Sequence, residues 1–257
     1  MLGGLSDQAA LLLDLEVNVF LKLAELADED LATARRAKTW RQWASALQPG
    51  DIILTKPSNT SHEIQARNDP FLMMLAPLVK AVDGGRWVHA ALYAGNGKVI
   101  HAKRGLEGED PSAQVREQPL EAFRDAMSDL MVVRPKVSLK ARKAAVKRAR
   151  STIGTPYNVW DVVRAGLAPQ HVSGAEEWPD RAICTAVPGY AYPQIPWRPG
   201  VSIRHIRPND YIRTPYADRI IAYTPDKTDL DKVAKLLIER ARDGRTARSQ
   251  ETQRSSR

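Results

Sequence analysis

Two runs with alternating apolar residues, Trp87–Tyr93 and Lys98–Ala102, bracket the dipeptide Asn96-Gly97. Asn-Gly is a strong short-range hairpin signal because both residues tolerate positive φ. The stretch WVHAALYAGNGKVIHA therefore commits the middle of the chain to an antiparallel β-hairpin, and so to a fold that contains a sheet. It also carries two histidines, His89 and His101.

Whether these histidines cooperate depends on register, because side chains alternate faces along a strand. A plain two-residue turn at Asn96-Gly97 pairs Leu92 with His101 and sends His89 to the opposite face. A three-residue loop, Gly95 to Gly97, or an equivalent bulge pairs Ala91 with His101 instead. His89 is then the diagonal neighbour on the same side, roughly 7–8 Å away between backbones and within imidazole reach. Joint chemistry by the two histidines predicts the second arrangement.

The single cysteine, Cys184, excludes an internal disulfide framework. It follows a polar loop and precedes Thr185-Ala186-Val187, as if opening a helix whose dipole favours a thiolate. A thiol nucleophile needs a base, and the base works better with an orienting partner. Cys184, His89 and His101 supply those three types of side chain. Two other readings stand beside this one. A lone cysteine is often a buried packing residue, and one Cys with two His is an acceptable partial zinc set, although no fourth ligand is evident. His62, His171 and His205 lie in loops or beside arginine and read as surface residues.

Along the chain, residues 7–27 carry Leu12, Leu15, Val19, Leu23 and Leu26 near one face of an amphipathic helix. A second helix is expected from Leu31 to Leu47, with Trp40 and Trp43. Pro49-Gly50 ends it, and Asp51–Thr55 reads as a strand entering the core. Residues 57–70 read as a loop, 71–82 as a short helix broken at Pro77, and Asp83-Gly84-Gly85 as a turn. After the hairpin come a loop from Gly105 to Gln118, a helix from Leu120 to Met127 and a strand over Leu130–Arg134. Ser138 is a good cap for a basic helix that runs to about Thr152, stopped by Gly154-Thr-Pro156. Tyr157 to Ala165 reads as a helix, Gly166 to Asp180 as a loop, Arg219–Thr224 as a strand and Asp229–Arg242 as a terminal helix. The last fifteen residues are polar and are expected to be disordered.

The formal net charge of +8 favours anionic surroundings without choosing among them, and no nucleic-acid module is legible. Asp14 and Glu16 interrupt the first apolar run, and no basic segment precedes it, so no signal peptide is expected. No run approaches the eighteen or so apolar residues of a membrane span. The expected location is the cytoplasm or a virion.

The order of these motifs resembles the circularly permuted branch of the papain-like fold. That branch includes the YiiX-like amidohydrolases and the lecithin:retinol acyltransferase-like proteins, and it is related to the NlpC-type cysteine peptidases. The resemblance rests on the opener Pro49-Gly-Asp-Ile-Ile-Leu54 and on His89-Ala-Ala-Leu-Tyr-Ala-Gly95. It continues through Val99-Ile-His-Ala102, then Gly154-Thr-Pro-Tyr157, and ends with a cysteine at a helix start. It spans residues 49 to 225. Thr185-Ala186 stand where YiiX-like proteins usually have Ser-Glu, while His101 matches the acyltransferase and peptidase branches.

The resemblance implies an α+β fold with an antiparallel sheet packed against helices. Its expected parts are an N-terminal helical extension (1–48), a catalytic domain (49–225), a C-terminal helix (226–242) and a basic tail (243–257). It implies Cys184 as nucleophile, His89 as base, His101 as the orienting residue and Tyr157 near the oxyanion. The implied activity is cleavage of an amide bond in a peptide, a cell-wall fragment or a lipid, with no cofactor or metal. Acyl transfer on the same site, or a non-catalytic virion component, are the alternatives. Pro188 and Gly189 predict that the helix after Cys184 is short or kinked.

Overall fold

The computed structural model describes residues 34–57, 87–103, 114–124, 127–158, 161 and 178–225. The helices expected at 7–27, 71–82 and 229–242, the loop expected at 57–70 apart from Pro57, which ends a strand, the turn at 83–85, His62, His171 and the C-terminal tail lie outside them. Among the described residues the architecture is α+β, with one seven-stranded mixed sheet. The strands are β1 (Arg35–Ala37), β2 (Ile52–Pro57), β3 (His89–Gly95), β4 (Lys98–Lys103), β5 (Gln114–Pro119), β6 (Met127–Pro135) and β7 (Ala217–Tyr223). Their order across the sheet is β1-β7-β6-β2-β3-β4-β5.

Every neighbouring pair is antiparallel except the edge pair β1 and β7, which run parallel. That corrects the expectation of a purely antiparallel sheet. It also corrects the helix expected over Leu31–Leu47. Arg35–Ala37 form an edge strand, and the helix α1 is confined to Trp40–Ser45. Thr39 sets that start, since its backbone is extended and its side-chain oxygen accepts the Gln42 N–H at 3.2 Å.

Apolar alternation along the strands feeds two core layers. Ile52, Leu54, Ala90, Leu92, Ile100 and Ala102 face one, and Ile53, Ala91, Tyr93, Val99 and Val132 face the other. The first layer is covered by α3 (Leu139–Arg150) and α4 (Ala186–Ala191). The second is covered by Trp43 of α1 and Phe123 of α2 (Glu121–Arg124). As expected, Ser138 caps α3, accepting the Ala141 N–H at 3.2 Å. Arg142, Ala145, Val146 and Ala149 form the buried stripe of α3, with i, i+3, i+4, i+7 spacing. One last short helix, α5 (Asp210–Arg213), precedes β7.

The segment 105–118, expected to be all loop, includes part of a strand. Gln114–Pro119 pairs with β4 along its whole length, with Arg116 opposite His101. It reads as polar because it is an edge strand with one fully buried side chain, Val115.

The Pro49-Gly50-Asp51 opener is a junction. Asp51 is wholly buried and accepts from Arg134 Nε at 2.7 Å and Nη2 at 2.6 Å, with Arg142 Nη1 at 3.5 Å. Gly50 holds φ +87°, and a Cβ there would meet Tyr192 Oη at 2.5 Å and Arg142 Cβ at 2.6 Å. The Tyr192 hydroxyl donates to the Gly50 carbonyl at 2.5 Å. Burial, and next the Asp51 charge, push that hydroxyl well above its ordinary pKa, so it remains a donor. Removing the carboxylate leaves two guanidinium groups short of their counter-charge in a low-dielectric site. Asp51→Ala should therefore cost about 3–5 kcal/mol of stability, read as the loss in a urea unfolding midpoint at constant slope.

Candidate active site

The hairpin has a two-residue turn and a bulge together. Gly95 pairs with Lys98 around Asn96-Gly97, while Tyr93 pairs with Val99 and Leu92 with Ile100, so the register shifts between Tyr93 and Gly95. Asn96 (φ 52°) and Gly97 (φ 67°) both take the left-handed backbone that the turn demands. The bulge supplies the extra residue and puts His89 and His101 on one side of the sheet. Their rings are in direct contact, with His89 Nε2 and His101 Nδ1 2.8 Å apart and the planes at 85°.

The pair is set against apolar surface. Phe123 lies 5.1 Å from the His101 ring and 6.0 Å from the His89 ring, centroid to centroid. His101 is 2% exposed and His89 is half-buried, so the inner ring is shielded and the outer one meets the surface. Thr55, directly across from His89 in β2, is wholly buried on the same side, and its hydroxyl has no hydrogen-bond partner among the described residues. The sequence signal for Thr55 was one polar residue closing an apolar strand. Phe123, in a four-residue helix, had none.

Cys184 lies two residues before α4 and is 8% exposed. That helix has six residues, as the proline and glycine predicted, and packs on β3 and β4, the strands that carry the histidines. Pro188 falls in its first turn, where a missing N–H costs no intrahelical bond. The chain around Cys184 (Ala182, Ile183, Ala186, Val187) belongs to the first core layer. The histidine rings turn toward Phe123 in the second. The neighbours of Cys184 and the histidine pair thus belong to opposite core layers, and His89 is the first residue of β3.

Two contacts tie a residue just before β3 and the residue after Cys184 to one short segment. Asn209 Nδ2 donates to the Trp87 carbonyl at 3.4 Å, just ahead of β3. Tyr211 Oη, two residues on, donates to the Thr185 carbonyl at 2.5 Å, next to Cys184. Burial, and then the neighbouring Cys184 and Asp210, push the Tyr211 hydroxyl well above its ordinary pKa. Gly189 lies close by, where a Cβ would meet Ile206 Cδ1 at 2.9 Å.

Tyr157 stands in a β-bridge and Asp161 is helical, while most of the helix expected over Tyr157–Ala165 lies outside the described residues. The bridge is parallel and sets Tyr157 beside Ala182, with the Ala182 N–H donating to the Pro156 carbonyl at 2.9 Å and the Asn158 N–H to the Ala182 carbonyl at 3.0 Å. This holds Tyr157 beside the chain two residues before Cys184. His205, expected at the surface, is 1% exposed with its Nε2 3.9 Å from Asp161 Oδ1. Among the described residues no group of three or more His, Cys, Asp or Glu is placed to hold a metal ion. No helix among them is long and apolar enough to cross a membrane.

No family model matches the sequence, and no curated protein matches it. Among solved structures the chain is weakly similar to the metalloprotein yiiX from Escherichia coli O157:H7. The identity is 13% and the TM-score 0.40, over 70% of this chain and 99% of that one.

A hydrogen bond between two imidazole nitrogens requires at least one neutral ring. Nitrogen-15 spectra of the histidine side chains should show a ring N–H shared between His89 and His101 at neutral and higher pH. The signal should vanish in His101→Phe, which keeps a ring against Phe123 but removes the acceptor.

Proposed function

We propose that the chain is a cysteine-dependent hydrolase of amide bonds, built on a permuted papain-like fold. The observation that supports this most is the 2.8 Å contact between His89 Nε2 and His101 Nδ1, formed by a bulge that a plain Asn-Gly hairpin lacks. The order of the Pro-Gly-Asp, His, His, Gly-Thr-Pro-Tyr and Cys motifs supports it independently.

In this mechanism His101 Nδ1 accepts the His89 Nε2 proton, which leaves His89 Nδ1 to serve the thiol. Cys184 gives its proton to His89, and its sulfur forms a bond to the substrate carbonyl carbon. The carbonyl π electrons move to oxygen, stabilised by the Cys184 backbone N–H and by Tyr157. The tetrahedral species collapses, the C–N bond breaks, and His89 returns the proton to the leaving amine. Water, deprotonated by His89, then attacks the thioester and releases the acid and the thiol. An amine or alcohol in place of water makes the same site an acyltransferase.

Cys184 is the only thiol, so iodoacetamide labelling reads it alone. The wild type should label well below pH 8, and His89→Ala should slow labelling by roughly tenfold at pH 7. Equal rates at each pH in both proteins would make Cys184 a packing residue, the reading its burial favours.

A further inference from the structure

The two faces of α3 have opposite chemistry. Its inner stripe, Arg142, Ala145, Val146 and Ala149, is buried against the sheet and α4. Its outer face carries Lys140, Lys143, Lys147 and Arg150, all exposed, and the helix contains no acidic residue. At about 1.5 Å per residue, the 12 residues of α3 make a basic row about 18 Å long.

The acidic groups beside this row are taken by other cations. Glu117 meets Arg150 at 2.8 Å and Lys98 at 3.3 Å, and Asp218 meets Lys136 at 3.0 Å. Among the described residues Lys140, Lys143 and Lys147 form no ion pair. Like charges three and four residues apart weaken a helix, and an anionic partner removes that cost.

The large apolar side chains exposed among the described residues are Leu139, Ile153 and Tyr216. They stand at the two ends of the row. Leu139 opens α3 and, at i, i+4 and i+8, shares the face of Lys143 and Lys147. The Tyr216 carbonyl accepts the Lys136 N–H at 2.8 Å, three residues ahead of Leu139. Ile153 lies three residues past the end of α3. An exposed apolar residue is ordinary by itself. Set at both ends of an unpaired lysine row, such residues match a bilayer surface, where anionic headgroups meet acyl chains. A row of nucleic-acid phosphates would satisfy the lysines and leave Leu139 and Ile153 in water.

We propose that the outer face of α3 docks on an anionic lipid surface, with Lys140, Lys143 and Lys147 on the headgroups and Leu139 and Ile153 at the acyl boundary. The docking is peripheral and weakens with salt. It does not rest on the catalytic reading of Cys184.

The test is co-sedimentation of the full chain with vesicles of phosphatidylcholine, alone or mixed with phosphatidylglycerol, at about 0.1 M and about 1 M salt. The wild type should bind the mixed vesicles at the lower salt, bind neutral ones at least about tenfold more weakly, and come off at the higher salt. One lysine near such a surface is worth about fivefold in affinity, so the combined Lys140→Gln, Lys143→Gln and Lys147→Gln variant should bind about a hundredfold more weakly. Leu139→Ser with Ile153→Ser should weaken binding and keep its salt dependence, and Cys184→Ala should sediment as the wild type does. The basic residues after Lys232 are a rival source of attraction. If they are the cause, the lysine variant binds as the wild type does, and the proposal falls. It also falls if the wild type fails to bind, binds neutral vesicles equally, or is unaffected by the Leu139 and Ile153 changes. A DNA duplex held more tightly than the vesicles, and released by the same lysine changes, would make the face a nucleic-acid surface instead. Far-UV circular dichroism checks each fold, and should the triple variant not fold, Lys143→Gln alone should lose about fivefold.

Discussion

The buried Asp51 carboxylate is the constraint on which most of the rest depends. A charge taken wholly out of water costs several kcal/mol unless it is paired and hydrogen-bonded. Here the partners come from distant segments: Arg134 in β6 and Arg142 in α3. Beside them Gly50 receives Tyr192, just past α4. Satisfying one carboxylate therefore fixes the start of β2 against a strand, a helix and the end of the cysteine's helix. Gly50 N–H also donates to the Tyr93 carbonyl at 2.8 Å, and Tyr93 N–H to the Asp51 carbonyl at 2.8 Å. A Cβ on Gly95 would stand 3.2 Å from Pro49 Cγ. The Pro-Gly-Asp opener and the Tyr-x-Gly end of β3, noticed separately as motifs, are parts of one contact.

From that junction the candidate site follows by register. With Asp51 fixed, β2 runs so that Thr55 lies across from His89, and the β3–β4 bulge then brings His101 onto the same side. The hairpin was legible because alternation and Asn-Gly are local signals, and so was the condition under which its histidines share a face. Which turn solution the chain takes was not. A three-residue loop and a two-residue turn with a bulge give the same pairing downstream, so local signals do not separate them.

What the sequence hid has a common cause: the deciding contact is remote. Gln114–Pro119 has the polarity of a loop, and only pairing with β4 makes it a strand. Arg35–Ala37 sits inside a helical-looking segment and is held by β7, nearly two hundred residues on. His205 looked like a surface residue because an arginine precedes it, yet Arg204 is exposed and His205 faces Asp161 in the interior. Asn209 and Tyr211, which tie Trp87 and Thr185 to one short segment, are unremarkable in sequence and become informative only through the groups they reach.

The length of α4 also decides what can activate Cys184. A helix dipole acting on a nearby thiol is worth about 0.3–1 kcal/mol, less than the 1.36 kcal/mol of one pKa unit. Bringing a thiol from its ordinary value near 8.5 to below 7 needs more than one such unit. A six-residue helix cannot supply that. Under the proposed mechanism a reactive Cys184 therefore depends on the imidazole of His89, whose Nε2 meets His101 Nδ1.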